Sequence, residues 1–310
     1  MGLMLAPFAR RLAIAAIGFL LLAPSGARAQ HLEPRAYINT PVGMNFLIAG
    51  YTYSSGGLST DPALPLTNAQ LDIHTPFVAY AHAFDAWGKS AKFDTVLAGG
   101  CLSGTAESNG APVSRDVCGL VDPTMRVSVN LYGAPALEAR DFASYRQDLI
   151  FGASLQVQAP LGQYDPARLV NLGSNRWALR PEIGASKVFH PLLVEVTLGA
   201  TFYTANDDFF GGQTREQDPV VATQLHLIYL LRAGAWVAFD ANYYSGGRTR
   251  VNGVQQNDEL GNSRLGLTFS YPWNRQHSIK LYVSEGISVR YGEDFNVVGL
   301  AWQYRWGGGL

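Results

Sequence analysis

Apolar and polar residues alternate with a period of two along most of this chain, the pattern of half-buried β-strands. From Arg146 to Gln158, Leu149, Phe151, Ala153, Leu155 and Val157 fall on one face, with Arg146, Asp148, Ser154, Gln156 and Gln158 on the other. The same alternation recurs in Arg176–Ser186, with Trp177, Leu179, Ile183 and Ala185 against Arg176, Arg180, Glu182 and Ser186. It predicts further strands near 45–53, 70–84, 91–101, 125–133, 192–204, 220–231, 235–245, 262–271, 277–289 and 298–306, about twelve in all. In the 70–84 strand the pattern sets Leu71, Ile73, Phe77, Ala79 and Ala81 outward and Gln70, Asp72, His74, Tyr80 and His82 inward. Glu285 shares the apolar parity of Leu281 and Val283, a conflict that one bulge does not remove.

Arg10 and Arg11 precede an apolar run from Leu12 to Ala23, and Ala27-Arg28-Ala29 supplies a small-residue cleavage site. Residues 1–29 therefore read as a signal peptide and 30–310 as one exported domain. Strands with one apolar and one polar face, many in number and following an export signal, point to lipid as the solvent of the apolar face. The expected fold is an all-β, antiparallel, up-and-down transmembrane β-barrel in the bacterial outer membrane. Long connections near 54–67, 102–123, 160–175, 205–217 and 246–260 alternate with short ones, as outer-membrane barrels require. The exception is 134–145, which suits a short amphipathic helix at the periplasmic rim. Trp177, Trp236, Trp273, Trp302 and Trp306 fall near strand ends, where indole rings favour the headgroup boundary.

Composition agrees: 33 glycines, 15% charged residues and 12% aromatics suit one large β domain. Removing residues 1–29 takes away three arginines and no acid, so the formal charge of -1 becomes -4 and no basic nucleic-acid footprint remains. The expected partners are outer-membrane lipids and lipopolysaccharide, the barrel assembly machinery and a small-molecule solute.

Inward parity collects a mixed-charge wall. Its basic members are Arg126, Arg146, Arg176, Arg180, Arg264 and Lys280; its other members are Asp148, Glu182, Glu195, His226 and Asp240. Such a wall sets pore size and field, with arginines attracting carboxylates, or else neutralises itself as a structural plug. The 160–175 loop is turn-rich at Tyr164, Asp165, Asn171 and Asn175 yet carries Leu169, Val170 and Leu172, which suits a loop folded inward as a constriction. Cys101 and Cys118 are the only cysteines, and an oxidising compartment favours a bridge between them over two free thiols. His226 and Ser270 invite a hydrolase triad, but no nucleophile-elbow string accompanies them. The acidic residues Asp207, Asp208, Glu216 and Asp218 match no metal-loop spacing, so neither a metal nor a cofactor is expected.

The string QYDPARLVNLGSNRWALRPEIG at 163–184 resembles the signature of a bacterial family labelled meta-pathway phenol-degradation proteins, or outer-membrane transporters. NLYGAPAL at 130–137, FYTANDDFFGG at 202–212, SGGRTRVNG at 245–253 and VGLAWQYRW at 298–306 continue the resemblance. It implies a barrel related to pore-forming, hydrophobic-compound transport proteins, and carries over no catalytic residue. The tail 307–310 beyond Trp306 departs from a terminal strand ending in an aromatic residue. The expected function is passive uptake of small molecules, aromatic or otherwise hydrophobic. The alternatives are a plugged structural or surface-interaction barrel and, behind it, a lipid hydrolase.

Overall fold

The computed structural model describes residues 33–59 and 67–309, so the expected signal segment lies outside the described residues. The chain forms β1 (Met44–Ser59), β2 (Thr67–Ala86), β3 (Lys89–Ser108), β4 (Ala111–Leu120), β5 (Thr124–Tyr132), β6 (Leu149–Gln158), β7 (Ala178–Phe189) and β8 (Leu192–Tyr203). It continues through β9 (Asn206–Phe209), β10 (Gln213–Gln217), β11 (Val220–Leu230), β12 (Trp236–Gly246), β13 (Thr249–Val251), β14 (Val254–Gln255), β15 (Leu260–Pro272), β16 (His277–Ser288) and β17 (Gly292–Gly307).

Twelve of these strands close into one antiparallel ring, in the order β1-β2-β3-β5-β6-β7-β8-β11-β12-β15-β16-β17. β17 returns to β1 in an unbroken register from Met44 opposite Gly307 to Ser59 opposite Gly292. Closure pairs the backbone groups that an open edge would leave bare in hydrocarbon. Each of the twelve strands expected from the alternation is present in this ring.

The wall is uneven. β2 and β3 each run 20 residues, whereas β5 has 9 and β6 has 10. Roughly ten residues cross a membrane, so the surplus of β1, β2, β3 and β17 stands above it. β3 pairs β5 from Ala91 to Val96 and then β4 from Gly99 to Ser108, so β4 is a hairpin arm beyond the ring. Cys101 faces Cys118 across that arm and the two form a disulfide. A second, four-stranded sheet of β9, β10, β13 and β14 gathers the two longest later loops on the same side. At the opposite rim, Ala139–Phe142 forms one helical turn, where the amphipathic helix was expected.

The tall wall overturns one expectation. In β2 the apolar set Leu71, Ile73, Ala79 and Ala83 is buried on the inside, while Gln70 and His74 are exposed outside. The outward polar residues sit where there is no hydrocarbon to avoid. Near the top Tyr53 Oη donates to Asp72 Oδ1 at 2.5 Å and Tyr51 meets His74; near the bottom Tyr80 and His82 both meet Asn45 Oδ1. Between these groups, the outward-facing residues are Pro76 and Val78.

Glu285 lies opposite Leu265 on the outer face, and the β15–β16 irregularity falls beyond it, toward the loop end. There a carboxylate is close to the interface, where its cost is small. Trp236 departs from the expected belt: it points inward and is buried, whereas Trp177 and Trp273 are exposed.

Candidate functional site

The segment before β1 enters the barrel from the rim that carries the short turns. Its Tyr37 is 1% exposed. The Tyr37 ring lies on a flat floor made by Gly152 in β6 and Gly184 in β7, directly opposed in register; a Cβ at either would stand 2.3 Å from the ring. Tyr37 Oη lies 3.2 Å from both Ser154 Oγ and Glu182 Oε1, and donates its one proton to the carboxylate. The N–H groups of Ala36 and Tyr37 donate to the two Glu195 oxygens at 2.9 and 3.1 Å, and Lys92 Nζ donates to the Ala36 carbonyl at 2.5 Å. Glu33 pairs with Arg126 at 2.7 Å, and Arg126 also meets Asp94 at 2.9 Å. Arg35 lies over the inward Trp236 ring at 5.5 Å. Of the expected lumen residues, Arg126, Glu182 and Glu195 are thus engaged in seating this segment.

Behind the seat, His226 Nδ1 lies 2.6 Å from Asp240 Oδ1, His226 Nε2 lies 3.2 Å from Gln224 Oε1, and Thr268 Oγ1 donates to Asp240 Oδ2 at 2.7 Å. Both ring nitrogens of His226 are therefore occupied by groups other than Ser270, and the imagined hydrolase constellation is not assembled. Arg264 is buried, donating to Ser284 Oγ and the Phe295 carbonyl at 2.6 and 3.0 Å. Arg146 and Asp148 do not reach the lumen. Arg146 donates to the Ala143 and Tyr145 carbonyls at the rim, and Asp148 pairs with the outward Lys187 at 2.5 Å. Both precede the first residue of β6, where the alternation no longer sets direction.

The 159–177 loop roofs the barrel from the other end. Asp122 anchors it, accepting the Gly162 and Ser174 N–H groups at 2.8 Å, Ser174 Oγ at 2.6 Å and Gln158 Nε2 at 3.0 Å. Asn171 staples the loop to itself through the Asp165 N–H and the Asp165 and Arg168 carbonyls. Asn175 Nδ2 and Tyr164 Oη both meet Asn206, tying the loop to β9. Leu172 is buried against Leu71, Ile73, Leu102 and Phe295 with Val170 packed alongside, whereas Leu169 is outside that cluster.

Between floor and roof lies a cavity of about 620 Å³. One side is apolar, with Ile48, Phe77, Ala79, Val96, Val297 and Ala301. The other carries Arg126, Gln156, Gln224, Asp240 and the Arg180–Glu182 pair, joined at 2.6 Å. Lys280 lines it too, 5.8 Å from the Tyr282 ring centroid and in no ion pair among the described residues. Arg176 lies above the cavity, at the mouth, stacked on Tyr203 at 4.3 Å. Tyr37, its two glycines, Lys92 as a seat residue and Asp122 are functional positions that the alternation does not mark. Glycine at two inward positions of neighbouring strands was the available signal for a close approach.

A closed twelve-strand ring with an apolar exterior, a seated N-terminal segment and a roofed central cavity defines a transmembrane β-barrel of the outer-membrane type. The chain belongs to the family described as "Putative MetA-pathway of phenol degradation", whose model matches residues 50–297. Its fold is similar to the crystal structure of an outer membrane channel from Pseudomonas putida F1, with 20% identity, a TM-score of 0.73, and coverage of 89% of this chain and 100% of that one. The transport unit of the autotransporter AIDA-I from Escherichia coli is a more distant likeness, with 9% identity, a TM-score of 0.50, and coverage of 96% and 97%. No curated protein matches the sequence.

Proposed function

We propose that this barrel is a passive outer-membrane channel for small hydrophobic molecules, aromatic ones included, exported through its first 29 residues and inserted by the barrel assembly machinery into a leaflet of lipopolysaccharide. The observation that carries this reading is the apolar stripe facing the lumen. Inward-facing positions of a pore for hydrophilic solutes are polar, whereas here Ile48, Phe77, Ala79, Val297 and Ala301 line a cavity of ligand size. The opposite charged wall orients a polar substituent, while the seated segment and the roof loop obstruct bulk water flow. Movement follows the concentration gradient, with neither cofactor nor metal. The fold-level likeness to an outer membrane channel is in keeping with this.

The test is uptake by cells whose lipopolysaccharide leaflet is intact, since aromatic compounds cross plain phospholipid unaided. Expression of the barrel is expected to speed entry of phenol or toluene and leave sugars excluded. Equal acceleration of sugars would make it a general pore and overturn the reading. A second reading, a permanently plugged structural barrel, is favoured by the number of bonds that hold Ala36 and Tyr37. It predicts no uptake of any solute unless residues 33–41 are removed.

A further inference from the structure

Among the described residues, Arg176, Arg215, Arg248 and Arg250 stand in or beside the small extracellular sheet, and two of these have acidic partners. Arg248 meets Glu259 at 2.7 Å and Arg250 meets Asp218 at 3.0 Å. Arg176 and Arg215 make no ion pair among the described residues. Arg176, two residues before β7, is held by its stack on the inward Tyr203; its Nη2 donates to the neutral Gln217, and its Nη1 is buried without a hydrogen bond. Arg215, in β10 opposite Asn206 and Val251, lies over the Phe209 ring at 5.2 Å. The nearby acids act on the pair only through their charge. Asp122 holds the roof loop, and Asp258 accepts the Thr249 N–H and hydroxyl at 2.8 and 2.6 Å. Asp258 and Glu293 favour charged Arg215 through space, without an ion pair to Arg215 among the described residues.

Two guanidinium groups held near each other, one with a buried N–H left over, cost free energy until an anion lies between them. Burial, and then the charge of Arg215, push the Arg176 guanidinium down to about 10; burial pushes Arg215 down as well. Tyr203, on which Arg176 stacks, lines the cavity directly. An anion at the pair therefore sits at the cavity's entrance, among the rings of Tyr203, Phe209 and Tyr164. A guanidinium fork matches a carboxylate in geometry and charge, and the rings match an apolar body.

We infer that Arg176 and Arg215 form a capture site at the extracellular mouth for a small organic anion with an apolar body, an aromatic carboxylate of the benzoate type. Its role as an entrance rests on the channel reading; its binding chemistry does not. The stack of Arg176 on Tyr203, a ring of the cavity wall, turns it toward the solute path, away from lipid headgroups.

The test is calorimetric titration of the refolded full-length barrel with benzoate, benzyl alcohol and inorganic phosphate. Benzoate is expected to bind, and Arg176→Gln and Arg215→Gln are each expected to weaken it about tenfold or more, the scale of one charge-assisted bond. Benzyl alcohol is expected to respond to neither change. Unaltered benzoate affinity in both variants, or no benzoate binding by the unmodified barrel, overturns the site. Phosphate bound more tightly than benzoate, with the same dependence on both arginines, overturns the organic-anion assignment in favour of an inorganic or lipopolysaccharide phosphate. Heat-modifiable migration on gels checks folding. Should a Gln variant fail to fold, Arg176→Lys and Arg215→Lys keep the charge but lose the fork, and are expected to weaken benzoate several-fold; affinity equal to the parent in both overturns the site. Benzoate binding at the arginines without aromatic uptake would sink the channel reading alone; uptake of toluene without benzoate binding would sink the capture site alone.

Discussion

The backbone N–H of Tyr37 donates to Glu195 Oε2 at 3.1 Å, 158 positions along the chain, while the N–H of Ala36 takes the other oxygen. One buried carboxylate on β8 thereby holds the segment that fills the lower lumen.

Glu195→Ala removes both acceptors and leaves the buried Tyr37 N–H unpaired, at about 1–3 kcal/mol, together with the half-buried Ala36 N–H at less. The segment is expected to leave its seat for a larger share of the time. Planar-bilayer recording should show a several-fold larger single-channel conductance. Conductance like that of the parent would mean that the other bonds suffice.

Gly184→Ala drives a methyl group into the Tyr37 ring, an overpacking worth about 1–3 kcal/mol. It should likewise raise conductance and expose Arg35 to trypsin. Tyr37→Ala removes the ring that would be struck, so adding Gly184→Ala to it should change little. Additive effects in this pair would place the clash elsewhere.

Asp122→Ala releases four donors from Gly162, Ser174 and Gln158. Hydrogen exchange is expected to quicken across 162–174 while the strands stay protected, because the ring does not depend on the roof. Uniform loss of protection would show that the anchor supports the barrel itself.

Lys280→Gln takes from the cavity wall a cation that has no ion-pair partner among the described residues. The reversal potential in a salt gradient should move toward cation preference, a several-fold fall in the anion-to-cation permeability ratio. An unmoved reversal potential would place the selectivity elsewhere.

The Cys101–Cys118 bridge closes a loop with sequence separation 17 on the arm above the ring. Its loss is expected to cost about 3 kcal/mol, taken from the arm and not from the barrel. Replacing both cysteines by serine should therefore loosen β4 in hydrogen exchange and leave the melting of the ring nearly unchanged. Complete alkylation of the folded protein without reductant would show that no bridge forms.

The strand number, the closed barrel and the direction of most inward residues were legible along the chain. Lipid outside and a polar lumen inside enforce strict alternation wherever a strand crosses hydrocarbon, as in β8, where Val196 and Leu198 face out and Glu195 and Thr197 face in. β2 misled because its polar outward residues stand above and below the hydrocarbon. Its apolar residues line the apolar side of the lumen, so the periodicity survived and the assignment of faces reversed. Arg146 and Asp148 misled for a related reason: parity has meaning only within a strand.

Local pattern thus determined the architecture, because each strand answers to the same two solvents regardless of its neighbours. Tertiary structure alone decided what occupies the lumen. Tyr37 meets Gly152, Gly184 and Glu195 only because closure brings β6, β7 and β8 around a segment far away in sequence. Leu172 finds Leu71 and Phe295 only after the ring joins its first strands to its last. Such contacts carry no periodicity; they follow from which strands close on which, and from the volume left between them.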